Sequence, residues 1–266
     1  MSIFRQYTFD DSFEQVFVSR KFLKEFQIAL TFATDYDENG VHTNGVFRPT
    51  WDLTKVSPES IAEFKNKKAQ TGVNVKVFIS IGNRGTEFPF KPEENKSWIE
   101  NATESLTKII KNNEYDLQVE GIDVLYENIE ASPSDFVECV GEVIKKLRES
   151  GVVRVASISP SHALNEQYYS CLYKRCPLLI DWVDYQFQNE ETAVLTPDTL
   201  VNRYTELVKD FYPKNKLFAG YSAENEDWST LSPIVFFLGG MDILKKKRGP
   251  GVSIHYHNYY AQPRHK

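Results

Sequence analysis

Cysteine is scarce in this chain: Cys139, Cys171 and Cys176 are the three present in 266 residues. They have no histidines at metal-ligand spacing around them, so neither a disulfide framework nor a zinc site is expected, and the thiols read as reduced. Positive charge is also short. Lys plus Arg total 31 against 37 Asp plus Glu, a net charge of −6, which leaves no electrostatic basis for wrapping nucleic acid or docking on anionic lipid. No window of about 18 apolar residues occurs, so no membrane-spanning helix is expected. Met1–Asp10 (MSIFRQYTFD) lacks the apolar run of a secretory signal, which makes a cytoplasmic protein the expectation. On that expectation the sequons at Asn95-Lys-Ser97 and Asn101-Ala-Thr103 are accidental. There is no Pro/Gly/Ser-rich linker, low-complexity tract or short internal repeat, so residues 1–266 read as one domain.

What is present is a globular composition, 41% apolar and 26% charged, too apolar for disorder and too mixed for a coiled coil. Extended apolar runs bounded by turn residues predict strands at Ser2–Tyr7, Phe26–Thr34, Val73–Ile81, Leu117–Tyr126, Val152–Ile158, Ile180–Gln188, Lys216–Tyr221 and Gly251–Tyr256. Helical patterns lie between them. Ser57-Pro58, Ser132-Pro133, Thr196-Pro197 and Ser232-Pro233 each place a hydroxyl at the cap and proline at the first helical position, where a missing N–H is harmless. Val140, Val143, Ile144 and Leu147 share one helical face, as do Leu200, Tyr204, Leu207 and Phe211. Strands alternating with helices at this length predict a closed (β/α)₈ barrel of α/β class. Asn258–Lys266 (NYYAQPRHK) is too short and too poor in periodicity for a closing helix, which is expected to be missing or replaced.

In such a barrel, chemistry gathers at the carboxyl ends of the strands. The fourth predicted strand reads Glu120-Gly-Ile-Asp123-Val-Leu125-Tyr-Glu127. A period of two places Asp123, Leu125 and Glu127 on the inward side and turns Glu120 away, which predicts a structural role for Glu120. Asp123 is expected to be a hydrogen-bonded interior group, with Ser80 as a partner, because a buried carboxyl must be satisfied.

This strand resembles the glycoside hydrolase family 18 signature Asp-Gly-x-Asp-x-Asp-x-Glu. Val77-Phe-Ile-Ser80-Ile-Gly82 resembles the family's third-strand Ser-x-Gly-Gly segment, with Asn83 in place of the second Gly. Trp182-Val-Asp-Tyr-Gln186-Phe-Gln188-Asn189 resembles the sixth strand of plant class III chitinases. Taken with Ser2-Ile-Phe-Arg-Gln-Tyr at the start, the sixth-strand segment is similar to a narrower legume group, that of narbonin and the RuBisCO-associated protein. The family resemblance implies retaining hydrolysis in which the substrate's N-acetyl oxygen is the nucleophile, an exception to the two-carboxylate scheme. It places Glu127 at the acid position and Ser80, Gly82 and Gln186 at retained pocket positions. It also implies three altered positions. Leu125 stands where a carboxylate should orient the acetamido group, Gln188 where a tyrosine should contact it, and His255 where a tryptophan should floor the pocket.

Losing one preorganised electrostatic group costs about 10²–10³ in rate, so the resemblance implies a hydrolytically inactive plant chitinase-like protein in which Glu127 is vestigial. A seed-storage or protein-associating role is then expected, with a protein such as RuBisCO as partner by resemblance, weak or no binding of chitin oligosaccharides, and no cofactor. Two alternatives stand beside it: a weak or altered glycosidase using Glu127, and a lectin-like glycan binder. A metal held by His255, His257 and Glu127 is not expected. The aromatic tail Tyr256, Tyr259 and Tyr260 is expected to cover the bare barrel end. Lys245-Lys-Lys-Arg248 is what a helix macrodipole alone favours at a carbonyl-rich terminus.

Overall fold

The computed structural model describes residues 2–8, 23–111, 116–190, 196–222, 231–246 and 248–256. Its strands are β1 (Ser2–Thr8), β2 (Leu23–Thr34), β3 (Arg48–Pro49), β4 (Asn74–Asn83), β5 (Gly121–Tyr126), β6 (Val155–Ile158), β7 (Trp182–Gln186), β8 (Leu217–Ser222) and β9 (Gly251–Tyr256). The helices are α1 (Pro58–Ala69), α2 (Asn95–Ile110), α3 (Pro133–Glu149), α4 (His162–Leu164), α5 (Ser170–Arg175), α6 (Pro197–Asp210) and α7 (Pro233–Lys245). A π-helical turn, Asn165–Tyr169, joins α4 to α5. The sheet runs in the order β1-β9-β8-β7-β6-β5-β4-β2, and β1 also pairs with β2. Every one of those pairings is parallel, so the sheet closes on itself as the expected (β/α)₈ barrel of one domain. β3 is an addition, a two-residue strand that folds back antiparallel on the end of β2.

The capping chemistry is realised at all four proline-marked starts. Ser57, Ser132, Thr196 and Ser232 each accept a backbone N–H from the first turn of α1, α3, α6 and α7. At Ser57 and Thr196 the third helical residue returns the bond, closing a capping box. The expected apolar faces of α3 and α6 are buried against the barrel wall, except that Phe211, at the C-cap of α6, is half-buried.

Strand ends deviate from the sequence expectation where local geometry intervenes. β5 starts at Gly121 rather than at Leu117, because Gln118 takes a φ of +58° and turns the chain beforehand. Gly121 itself lies so close to β6 that a Cβ would sit 2.1 Å from the Val155 carbonyl oxygen, so only glycine permits this approach. β7 stops at Gln186, since Phe187–Asn189 tightens into a 3₁₀ turn that carries Gln188 over toward β8. The tail positions His257, Tyr259 and Tyr260, together with the expected replacement of a closing helix, lie outside the described residues, as does the side chain of Tyr256.

The apolar core is split. A large cluster fills the space between barrel wall and helices, while Tyr7, Ala29, Phe32, Phe78 and Leu125 form a small one inside the barrel. The rest of the interior is polar, with Arg5, Gln27, Ser80, Asp123, Ser157, Asp184, Ser253 and His255 fully buried.

Replacing Ser57 or Ser132 by alanine removes the first-turn acceptor without touching the barrel. Each change is expected to lower unfolding free energy by about 1 kcal/mol, as read by urea denaturation, and no loss in either variant would contradict the capping assignment.

Candidate functional site

Alternation along β1 sends Arg5 and Tyr7 into the barrel, where they meet Asp123 of β5 and Asp184 of β7. Arg5 Nε donates to Gln27 Oε1 at 2.9 Å, and Nη1 donates to Asp123 Oδ1 at 3.1 Å and to Ser157 Oγ at 2.9 Å. Its Nη2 finds no acceptor among the described residues. The guanidinium carbon stands 4.9 Å from the Phe78 ring centre and 5.2 Å from that of Phe218, and these π faces offset part of the lost hydration. Asp184 Oδ2 lies 3.7 Å from Arg5 Nη1.

Asp123 accepts from Ser80 Oγ at 3.1 Å, from Ser159 Oγ at 2.9 Å and from the hydroxyl of Ser157. The expected Ser80 partner is therefore present, as one of several. The Tyr7 hydroxyl stands 2.8 Å from Asp184 Oδ2 and 3.1 Å from Asp123 Oδ2, and having one proton it can satisfy only one of them at a time. Ser253 Oγ donates to Asp184 Oδ1 at 2.6 Å. Burial pushes the Asp184 carboxyl up to about 6, against the pull of Arg5 and the Ser253 bond. Burial likewise pushes the Tyr7 phenol well above its ordinary value, helped by Asp123 and Asp184. Burial opposes charge on Arg5, but Tyr7, Asp123 and Asp184 more than compensate and hold its pKa above the usual value.

His255 lies flat on Tyr7, ring centres 3.6 Å apart and planes 13° from parallel. Both ring nitrogens are buried without a hydrogen-bond partner among the described residues. Burial, with Arg84 and Arg5 nearby, holds the imidazole well below its ordinary pKa. His255 is thus neutral and sealed under the rim, with no surface on which a sugar could stack.

Glu127 sits one residue beyond the end of β5. Its Oε1 accepts from Arg84 Nε at 3.4 Å and its Oε2 from the Gly85 N–H at 2.7 Å. Arg84 Nη1 also donates to Ser222 Oγ at 2.5 Å, so a guanidinium spans from Glu127 to the end of β8. Gln188 Oε1 accepts from the Ser222 N–H at 3.2 Å, and Gln188 Nε2 stands 3.4 Å from Gln186 Oε1. Leu125 is fully buried in the small apolar cluster. Gly82, with φ +109°, passes its neighbour so closely that a Cβ would lie 2.2 Å from the Leu125 carbonyl oxygen, which is a backbone reason for glycine there. Glu120 points outward as expected, accepting from Lys65 Nζ and from the Val77 N–H, each at 2.7 Å.

The structure therefore brings the sequence-selected residues to one end of one barrel, with Ser80, Asp123, Leu125, Gln186, Gln188 and His255 beneath a rim where Glu127 keeps some exposure. Arg5, Arg84 and Asp184 were missed. For Arg5 and Asp184 the signal was available, because each lies two residues before a selected or aromatic inward position, Tyr7 and Gln186. Nothing local marks Arg84, whose role depends on the separate strand ends that carry Glu127 and Ser222. Among the described residues no group of three or more His, Cys, Asp or Glu side chains could hold a metal.

Comparison with known proteins agrees in sequence and in shape. The chain is 35% identical to a RuBisCO-associated protein of Glycine max over 262 residues, 95% of this chain and 89% of that protein. It is 34% identical to Chitinase 1 of Tulipa saxatilis subsp. bakeri over 229 residues, 84% of this chain and 69% of that protein. The solved catalytic domain of a family GH18 chitinase from the fern Peteris ryukyuensis superposes with a TM-score of 0.82 at 27% identity, covering 95% of this chain and 91% of that one. No family model matches the chain.

Two buried groups give opposing pH dependences. Asp184 has a folded pKa raised from 3.8 to about 6, so between those values the folded state binds more protons than the unfolded one. Its contribution, up to about 3 kcal/mol, is fully present below pH 4 and is lost as pH rises through 6. His255 has a folded pKa depressed below 6.5, so the unfolded state binds more protons below that pH and stability falls on acidification. In urea unfolding at pH 4 to 7, Asp184→Asn should lose the first dependence, and His255→Phe, which keeps the ring on Tyr7, should lose the second. Parallel pH profiles for wild type and His255→Phe would show that His255 is not buried neutral.

Proposed function

Because the chain belongs to the chitinase-like family of glycoside hydrolase family 18, we propose that it is a member in which hydrolysis has been given up and a protein-associating role remains. The carrying observation is the state of the acid position. Glu127 retains the family residue, but Arg84 and the Gly85 N–H already engage both of its oxygens. A general acid has to present its proton to the leaving oxygen, and here that oxygen would compete with an internal ion pair. Two residues earlier, Leu125 cannot hold an acetamido group, and its site has been repacked with Tyr7, Ala29, Phe32 and Phe78. Gln188 and His255 are likewise spent on internal contacts.

Several changes at once argue against a simple loss of the acid. A site selected to hold sugar without cutting it would keep its acetamido and stacking contacts and could lose the acid alone. Here the acid remains while Leu125, Gln188 and His255 replace groups that recognise N-acetylglucosamine, so oligosaccharide binding should be weak. The soybean relative is named for association with RuBisCO, which supports a protein as the partner of this chain also. The tulip relative is a chitinase, and with the partial exposure of Glu127 it favours residual hydrolysis as the second reading.

Chitotetraose and chitohexaose incubated with the purified chain should release reducing ends no faster than with Glu127→Gln. A reproducible gap between the two proteins would establish the hydrolase reading. Leu125→Asp should not restore robust turnover, because the new carboxylate would be buried among apolar side chains at a cost of several kcal/mol. Calorimetric titration with the same sugars should show no micromolar binding, and such binding would favour a lectin.

A further inference from the structure

The loop between α5 and β7 carries the most exposed large apolar side chain among the described residues, Leu178, at 89%. A lone exposed leucine is ordinary on a protein surface, but this one stands on a braced loop. Lys216 Nζ donates to the Pro177 and Ile180 carbonyls at 2.9 and 2.6 Å, and Arg148 Nη1 donates to the Leu179 carbonyl at 2.9 Å. Arg148 also pairs with Asp181, whose Oδ2 accepts the Ala156 N–H at 3.0 Å. The Leu179 N–H closes a turn on the Cys176 carbonyl at 3.0 Å. Cations from α3 and from the residue before β8 thus fix the backbone on both sides of Leu178 while its side chain stays in solvent. The loop is ordered before any partner arrives, so burying that side chain costs little further backbone entropy.

The surroundings of this loop are basic. Lys174 and Arg175 end α5, Lys145 and Lys146 lie near the end of α3, and Lys214 lies in the turn before β8, all of them exposed. Arg175 and Lys145 are both close enough to Cys176 to act on its thiol, and Lys214 is two residues from the lysine that holds the loop. A helix dipole favours cations in the last turn of a helix, whereas Lys214 lies four residues past the end of α6 at Asp210. Glu149 and Asp210 are the exposed carboxylates in the same segments, so positive charge prevails. The net charge of −6 is therefore unevenly spread. Glu38, Glu87, Glu93 and Glu130 are exposed on loops at the opposite, carboxyl end of the strands, and such polarity orients an approaching charged partner.

We propose that this amino-end face, with Leu178 as its anchor, docks a protein partner that offers an apolar pocket rimmed by carboxylates. The inference rests on the protein-associating role proposed above and assigns that role to the end of the barrel away from Glu127. Charge complementarity selects an acidic partner, and the braced leucine selects one with a pocket, since a preorganised apolar anchor gains most where it is fully desolvated. A membrane fits less well, because one leucine is a smaller anchor than the single acyl chain that already binds only marginally. A nucleic-acid backbone has no apolar pocket to receive it.

Photo-cross-linking followed by titration tests this. With benzoylphenylalanine in place of Leu178, the full chain should cross-link a protein in an extract of the cells that make it, through a segment carrying both apolar and acidic residues. The same probe in place of Glu87, at the opposite end, should not. The cross-linked protein, identified by mass spectrometry and purified, should bind the wild-type chain in calorimetry. Binding should be at least about tenfold weaker for Leu178→Asp and for Lys174→Glu/Arg175→Glu, and weaker for wild type as salt is raised. These variants change only exposed positions and should keep the wild-type circular dichroism. A partner that cross-links at Glu87 instead, or that binds all three proteins equally, overturns this face and leaves the protein-associating role standing. A wild type that binds no identified protein at ~100 μM overturns both. Flotation of the wild type on phosphatidylcholine–phosphatidylserine vesicles that both variants lose, or a cross-link that nuclease treatment abolishes, gives the face to lipid or nucleic acid and overturns the proposal.

Discussion

The closed interior of this barrel depends on one buried cation. A guanidinium taken from water is penalised by several kcal/mol unless it is paired and its donors are used, and Arg5 meets most of that demand, through Nε and Nη1 but not Nη2, with groups from almost the whole circumference. Gln27 comes from β2, Asp123 from β5, Ser157 from β6 and Asp184 from β7. Asp123 in turn draws Ser80 from β4, and Asp184 draws Ser253 from β9. Such a network tolerates little slippage, because moving one strand by a residue would replace a partner with an outward-facing apolar side chain. Register and electrostatics are thus the same constraint here.

That constraint reaches the rim. Tyr7 sits in the polar network through its hydroxyl, in the small apolar cluster through its ring, and under His255 through stacking. Leu125, packed in the same cluster, fills space above Asp123 that a carboxylate could occupy only beside two others. Two carboxylates already share one guanidinium, and burial holds Asp184 at about 6. A third acid in this enclosure would be disfavoured in its charged form. Leu125 is accordingly compatible with the polar plug below it. Above it, the Arg84 guanidinium links Glu127, just past the end of β5, to Ser222 at the end of β8.

The outer layer obeys simpler physics. Each helix of this layer with an apolar stripe buries it against the wall, and hydroxyl caps with proline fix where α1, α3, α6 and α7 begin. α7 departs from this by carrying exposed apolar residues, Ile234, Phe237, Leu238 and Met241, on its outward side as well. The surface and the interior of the molecule therefore carry separate deviations from a simple barrel.

Alternation in the chain itself determined the eight barrel strands, because a period of two and its bounding turn residues are local properties. The four capped helix starts, the outward Glu120 and the inward Asp123 were legible for the same reason. The motif around Glu127 also identified which end of the barrel to inspect. What sequence could not supply was which distant groups meet. Arg84 and Glu127 are 43 residues apart and Arg5 and Asp184 still further, and closure of the barrel alone sets them side by side. Whether Glu127 is available as an acid, whether His255 presents a face or hides one, and whether the stripe on α7 is covered are all decided by neighbours remote in the chain, since burial and ion pairing belong to the assembled fold and not to any segment of it.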